Sequence, residues 1–101
     1  MPIYQTAQFE VRPEALERCE QAIREFVAYI QANEPGTLLY TSVHAAGDPA
    51  SFLHFFIFED EAARERHRTS EAVRRFTDTL YPELLAPVEF QEYSAVATTA
   101  L

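Results

Sequence analysis

Apolar and polar residues alternate at the start of the chain. Ile3, Ala7, Phe9 and Val11 fall on one face, and Tyr4, Thr6, Gln8 and Glu10 on the other. That period of two predicts a strand over residues 3–11. Gln5 breaks the pattern as a polar residue on the apolar face. Pro13 then suits a first helical turn, and Glu14 and Glu17 suit the positive end of a helix dipole. Leu16, Cys19, Ile23, Phe26, Val27 and Ile30 recur at the spacing of one helix face. They predict a helix to about residue 33, ended by Pro35-Gly36.

Residues 38–45 and 51–59 read as strands joined by the loop Ala46-Gly47-Asp48-Pro49-Ala50. The second run, Phe52-Leu53-His54-Phe55-Phe56-Ile57-Phe58, is apolar at nearly every position, so both of its faces must be covered. One helix layer covers one face. In so small a chain the other face calls for a second copy, which predicts a homodimer. Asp60 caps a helix to about residue 68. After a break at Arg68-Thr69-Ser70, Ser70 caps another over 71–80, with Val73, Phe76, Thr77 and Leu80 as its inner stripe. Pro82 and Pro87 bracket a turn or short helix at 83–86, residues 88–96 alternate as a fourth strand, and 97–101 form a flexible arm. The order β-α-β-β-α-β predicts a ferredoxin-like α+β domain over residues 1–101: an antiparallel sheet with helices on one face.

Composition narrows the function. With 48% hydrophobic and 13% aromatic residues, the 101-residue chain can bury a core. The net charge is −8, and all eight basic residues are arginines. That balance repels phosphate backbones and anionic lipid, so neither nucleic acid nor a membrane is an expected partner. Cys19 is alone, and no Cys/His spacing fits a zinc site, so no metal is expected. Nothing at residues 1–11 reads as a signal peptide, and no apolar run nears the roughly 18 residues of a membrane span. A cytoplasmic protein is the expectation.

Specific residues resemble the antibiotic biosynthesis monooxygenase family of dimeric α+β barrels. They are Glu34-Pro35-Gly36 with Leu38 and Tyr40, then Asp60, Ala63, His67 and Ser70, then Val73 and Phe76, and finally Pro87-Val88. The resemblance implies a homodimer with its two sheets face to face and a pocket between sheet and helices in each subunit. It also implies oxidation of phenolic or quinol-like aromatics by molecular oxygen, with no cofactor. Two positions depart from the family: Phe56 stands where many members carry glutamate, and Phe58 where they carry tryptophan or tyrosine. Haem-degrading relatives use a first-strand asparagine and a third-strand tryptophan, matched here by Ala7 and Phe58, which argues against haem degradation.

Oxygenation of this kind needs a substrate anion electron-rich enough to reduce oxygen, and hence a base, a dry pocket and donors to hold the anion. His67 is the candidate base: histidine titrates in the right range, and it stands where the family has a histidine. Tyr40, Ser42 and His44 alternate on the second strand, and His54, Phe56 and Phe58 on the third. With Phe76 and Leu80 they predict an aromatic cavity, in which Tyr40, His44, His54, Phe56, Phe58, Phe76 and Leu80 bind substrate. His54 among apolar neighbours requires a partner or a purpose. Tyr81 either closes the mouth or packs there. Arg64, Arg66, Arg68, Arg74 and Arg75 form a solvated face, with Arg75 as a candidate to attract an anionic substrate. Two alternatives stay open: a non-catalytic dimeric small-molecule-binding or stress-response module, and an isomerase or lyase using the same histidine on a small carbonyl compound.

Overall fold

The computed structural model describes residues 1–99. The chain runs β1 (Ile3–Glu10), a 3₁₀ turn (Pro13–Ala15), α1 (Leu16–Asn33), β2 (Thr37–Ala45), β3 (Asp48–Phe58), α2 (Glu61–Arg68), α3 (Glu71–Leu80), a second 3₁₀ turn (Tyr81–Glu83) and β4 (Glu89–Tyr93). The strands form one antiparallel sheet in the order β2-β3-β1-β4. This is the ferredoxin-like α+β fold expected from the element order. No helix among the described residues is long and apolar enough to cross a membrane.

Register sorts the two faces. Phe9 pairs with Phe52, Ala7 with His54, Gln5 with Phe56 and Ile3 with Phe58; Tyr40 continues the Phe56 row and Phe90 the Ala7 row. This face meets the helices. Phe9, Phe52, Ile23, Phe26, Ile30, Phe76 and Leu80 share one buried cluster, while Ala7, Phe56 and Phe58 pack with Ala63 of α2 in another. The α1 stripe is buried at Cys19, Ile23, Phe26 and Ile30, with Leu16 and Val27 partly buried. Asp60 and Ser70 cap as expected: their side chains accept from the amides of Ala63 (2.9 Å) and Val73 (3.1 Å). The helix break between them follows.

Three expectations need correction. The hairpin is tighter than a five-residue loop, because β3 already starts at Asp48; Pro49 sits near the strand's beginning, where a missing N–H is tolerated. The inner stripe of α3 includes Ala72, whereas Val73 and Thr77 are only partly buried. The fourth strand stops at Tyr93 rather than reaching residue 96. Ser94, Ala95, Ala97 and Thr98 instead line a cleft with Tyr4, Leu38, Phe55 and Ile57 on the face away from the helices. Of the arm expected at 97–101, residues 100 and 101 lie outside the described residues.

An ion cluster ties the end of β1 to the turn after α3. Val11, fully buried, bridges Leu84, and the Leu85 amide donates to Glu10 O (2.9 Å). Beside them the nearly buried Glu83 carboxylate accepts from Arg12 and from Arg18 (2.6 Å). The hydrogen bonds from Arg12 and Arg18 hold the Glu83 carboxyl below the usual carboxylate range. A lowered folded-state pKa contributes stability above the unfolded value of about 4, and that stability is lost as pH falls through the folded value. Glu83→Gln should therefore unfold at lower denaturant than wild type at about pH 7, and the gap should narrow as the pH falls below about 4. A gap that persists in acid would show that the ion cluster is not its source.

Candidate active site

Between the sheet and the helix layer lies a cavity of about 420 Å³. Its floor is Gln5, Ala7, Tyr40, His54, Phe56 and Phe58; Phe26, His67, Phe76 and Leu80 form its roof. Tyr81, Val88 and Phe90 also border it, Tyr81 and Phe90 being about half exposed. The walls are mostly stacked rings. Phe26 lies on Phe76 (centroids 4.4 Å apart) and Tyr40 on Phe56 (5.0 Å), with His67 5.1 Å from Phe58.

The structure thus brings together seven of the eight residues singled out from the pattern: His67, Tyr40, His54, Phe56, Phe58, Phe76 and Leu80. His44 is not among them. It shares the inner face, but it lies opposite Phe52 at the far end of β2, in a separate groove beside α1, 3.8 Å from Glu20. Nor does Arg75 border the cavity, whereas Arg64 and Arg68 do. Arg64 is held by Glu61 (2.7 Å) and Glu92 (2.9 Å), and Arg68 by Glu65. Arg66 lines a different, more polar pocket.

Two histidine pairs give the cavity its chemistry. Tyr40 Oη lies 2.7 Å from His54 Nδ1. Burial pushes the Tyr40 phenol well above its ordinary value and lowers His54 to about 4. The phenol therefore keeps its proton and the imidazole is neutral. In the tautomer in which the Tyr40 O–H donates to Nδ1, Nε2–H is left as a donor, and Nε2 is buried with no partner among the described residues. His67 Nδ1 lies 2.9 Å from Glu34 Oε1, which also accepts from the Thr37 hydroxyl (2.8 Å). A carboxylate partner fixes the proton on Nδ1 and leaves the Nε2 lone pair as the free base.

Glu34 stands in the Glu34-Pro35-Gly36 run that carries the family resemblance, but pattern reading did not single it out as a site residue. It caps the C-terminus of α1, where the helix dipole disfavours a carboxylate, and that local conflict is the signal it carried in sequence. Its reach to His67 depends on Gly36. A Cβ there would stand 2.6 Å from Ala63 Cβ, so only glycine lets the turn after α1 press against α2. His67 lies one helical turn beyond Ala63 on the same face.

Tyr40→Phe removes the hydroxyl that pairs with His54 Nδ1 and should cost about 1–3 kcal/mol in denaturant unfolding. A change within about 0.3 kcal/mol would mean that the bond contributes nothing net.

The geometry can be compared with known proteins. A profile of the antibiotic biosynthesis monooxygenase family matches residues 2–79. No curated protein matches the chain in sequence. Among solved structures, a Bacteroides thetaiotaomicron protein assigned as an antibiotic biosynthesis monooxygenase superposes with a TM-score of 0.92 at 18% identity, covering 99% of this chain and 94% of that one. Rv0793 from Mycobacterium tuberculosis gives 0.89 at 18% identity, over 99% and 100%. An N63A mutant of SnoaB, a cofactor-independent oxygenase from Streptomyces nogalater, gives 0.81 at 17% identity, over 97% and 96%. At such identities the structural likeness speaks for the fold alone; the family match spans most of the chain, and by it the protein belongs to the antibiotic biosynthesis monooxygenase family.

Proposed function

We propose that the chain is a monooxygenase that oxidises a small phenolic, quinol-type or anthrone-type aromatic with molecular oxygen, using no bound cofactor. The observation that carries this reading is the His67–Glu34 pair on the wall of an aromatic cavity. The rings match a flat apolar substrate, and the family membership, with SnoaB as a cofactor-independent oxygenase of like fold, supports oxygenation.

In this reading His67 Nε2 takes the phenolic proton, and Glu34 holds the ring in the productive tautomer and stabilises the imidazolium that forms. The Nε2–H of His54, aimed by Tyr40, bonds the anion. The anion passes an electron to oxygen, and the resulting radicals combine at a ring carbon as a peroxide. The imidazolium returns its proton to the peroxide, and loss of water turns the ring carbon, C–H₂ in the keto tautomer of the substrate, into C=O. The carbon gives up four electrons and two hydrogens; one oxygen atom stays and the other leaves as water.

Oxygen uptake with a panel of naphthohydroquinones and anthrones should proceed without added metal or flavin. It should fall by about a hundredfold in His67→Ala and by about tenfold in Glu34→Gln. Uptake no faster than autoxidation across the panel overturns the reading. Thermal stabilisation by the same compounds without turnover would instead favour a binding module.

We also propose that the protein works as a homodimer with its sheets face to face. The support is the far side of the sheet, where Leu39 and Val43 are 38% and 48% exposed and Leu53 and Phe55 are only partly covered. Light scattering should give twice the chain mass for wild type and the chain mass for Phe55→Glu. A monomeric wild type at micromolar concentration overturns this.

A further inference from the structure

Gln5 is the polar residue that breaks the apolar face of β1, and the mechanism above does not use it. Its backbone pairs with Phe56 on one side and Glu92 on the other. Its side chain lines the cavity, and Oε1 is buried and accepts no hydrogen bond from the described residues. An amide oxygen buried without a donor costs stability, so such atoms are rare unless something else satisfies them. No neighbour among the described residues donates to it. Phe56 and Phe58 have no polar atoms to offer, and the three hydrogen bonds that Arg64 makes beside it go to Glu61 and Glu92. A hydroxyl on a ligand filling the cavity would supply the donor that the wall does not.

We infer that Gln5 is a specificity-determining residue: its side-chain oxygen accepts from a hydroxyl of the bound aromatic other than the one that ionises at His67. The inference rests on the proposed reading of the cavity as an aromatic-substrate site. His67 hangs from the helix layer and Gln5 stands on the sheet. A ligand spanning the two therefore needs oxygen at two separate positions. The preferred class is an aromatic carrying at least two hydroxyls, and methylating the second removes the donor and leaves Oε1 unpartnered. A site built to bond a hydroxyl rejects the analogue lacking it for that reason.

The test is anaerobic calorimetric titration with 1,4-dihydroxynaphthalene and 4-methoxy-1-naphthol, which differ only in the second hydroxyl's proton. Wild type should bind the diol about tenfold more tightly. Gln5→Met, close to glutamine in volume, should bring the two affinities within about twofold by weakening the diol alone. Gln5→Ala guards against a steric origin. If the methyl merely clashed, the smaller side chain would tighten the ether, whereas loss of an acceptor leaves the ether unchanged and weakens the diol. Both variants are checked for cooperative unfolding first. Equal affinities in wild type, a preference that survives in both variants, or no binding of either probe overturns the inference. Because oxygen is excluded, the result is independent of the uptake assay: a diol preference lost with Gln5 stands even if no turnover is found, and turnover can stand where the preference fails.

Discussion

The inner face of β3 governs the rest of the molecule, because a central strand with aromatic rings at alternate positions must be covered along its whole length. At the Phe52 end the cover is close: Phe9 stacks on Phe52 at 5.3 Å, and Ile23 and Phe26 of α1 complete the core. Towards Phe58 the cover changes hands to the second helical region, which is broken at Thr69 and Ser70. The cavity lies beneath this broken region, with His67 near the end of α2 and Phe76 and Leu80 of α3 on its wall.

The cavity contains buried polar atoms that an apolar core would exclude. Tyr40 and His54 satisfy each other at one nitrogen, and Glu34 fixes His67 at one nitrogen. Among the described residues, the buried side-chain atoms left without partners are Gln5 Oε1, Glu34 Oε2 and His54 Nε2. All three belong to the site or to the pair that serves it. A fold stabilised elsewhere by apolar burial and by the Arg12–Glu83–Arg18 cluster tolerates that cost where it brings chemistry.

Both departures from the family's usual residues bear on this balance. Phenylalanines at 56 and 58 make the floor apolar, and they stack directly on Tyr40 and beside His67. The polar side chains that line the cavity with them include Gln5, Tyr40, His54 and His67. Of the eight arginines, Arg64 and Arg68 border the cavity, and both guanidiniums are engaged by neighbouring carboxylates.

What the sequence by itself determined follows from short-range physics. Period-two and helical spacings placed the strands and the first helix, and the Asp60 and Ser70 caps act within three residues of themselves. Strand alternation put Tyr40, His54, Phe56 and Phe58 on one face, and Gln5 was visible as the exception in its row. Tertiary structure alone decided what depends on distance through space. Glu83 meets Arg12 and Arg18 across separations of 71 and 65 residues, and Glu34 meets His67 across 33. His44 has the right face but the wrong end of the strand, because alternation fixes the side on which a residue points and not its position along the sheet relative to the helices above. That position is set by how the helices dock, a property of packed shapes that no local pattern encodes.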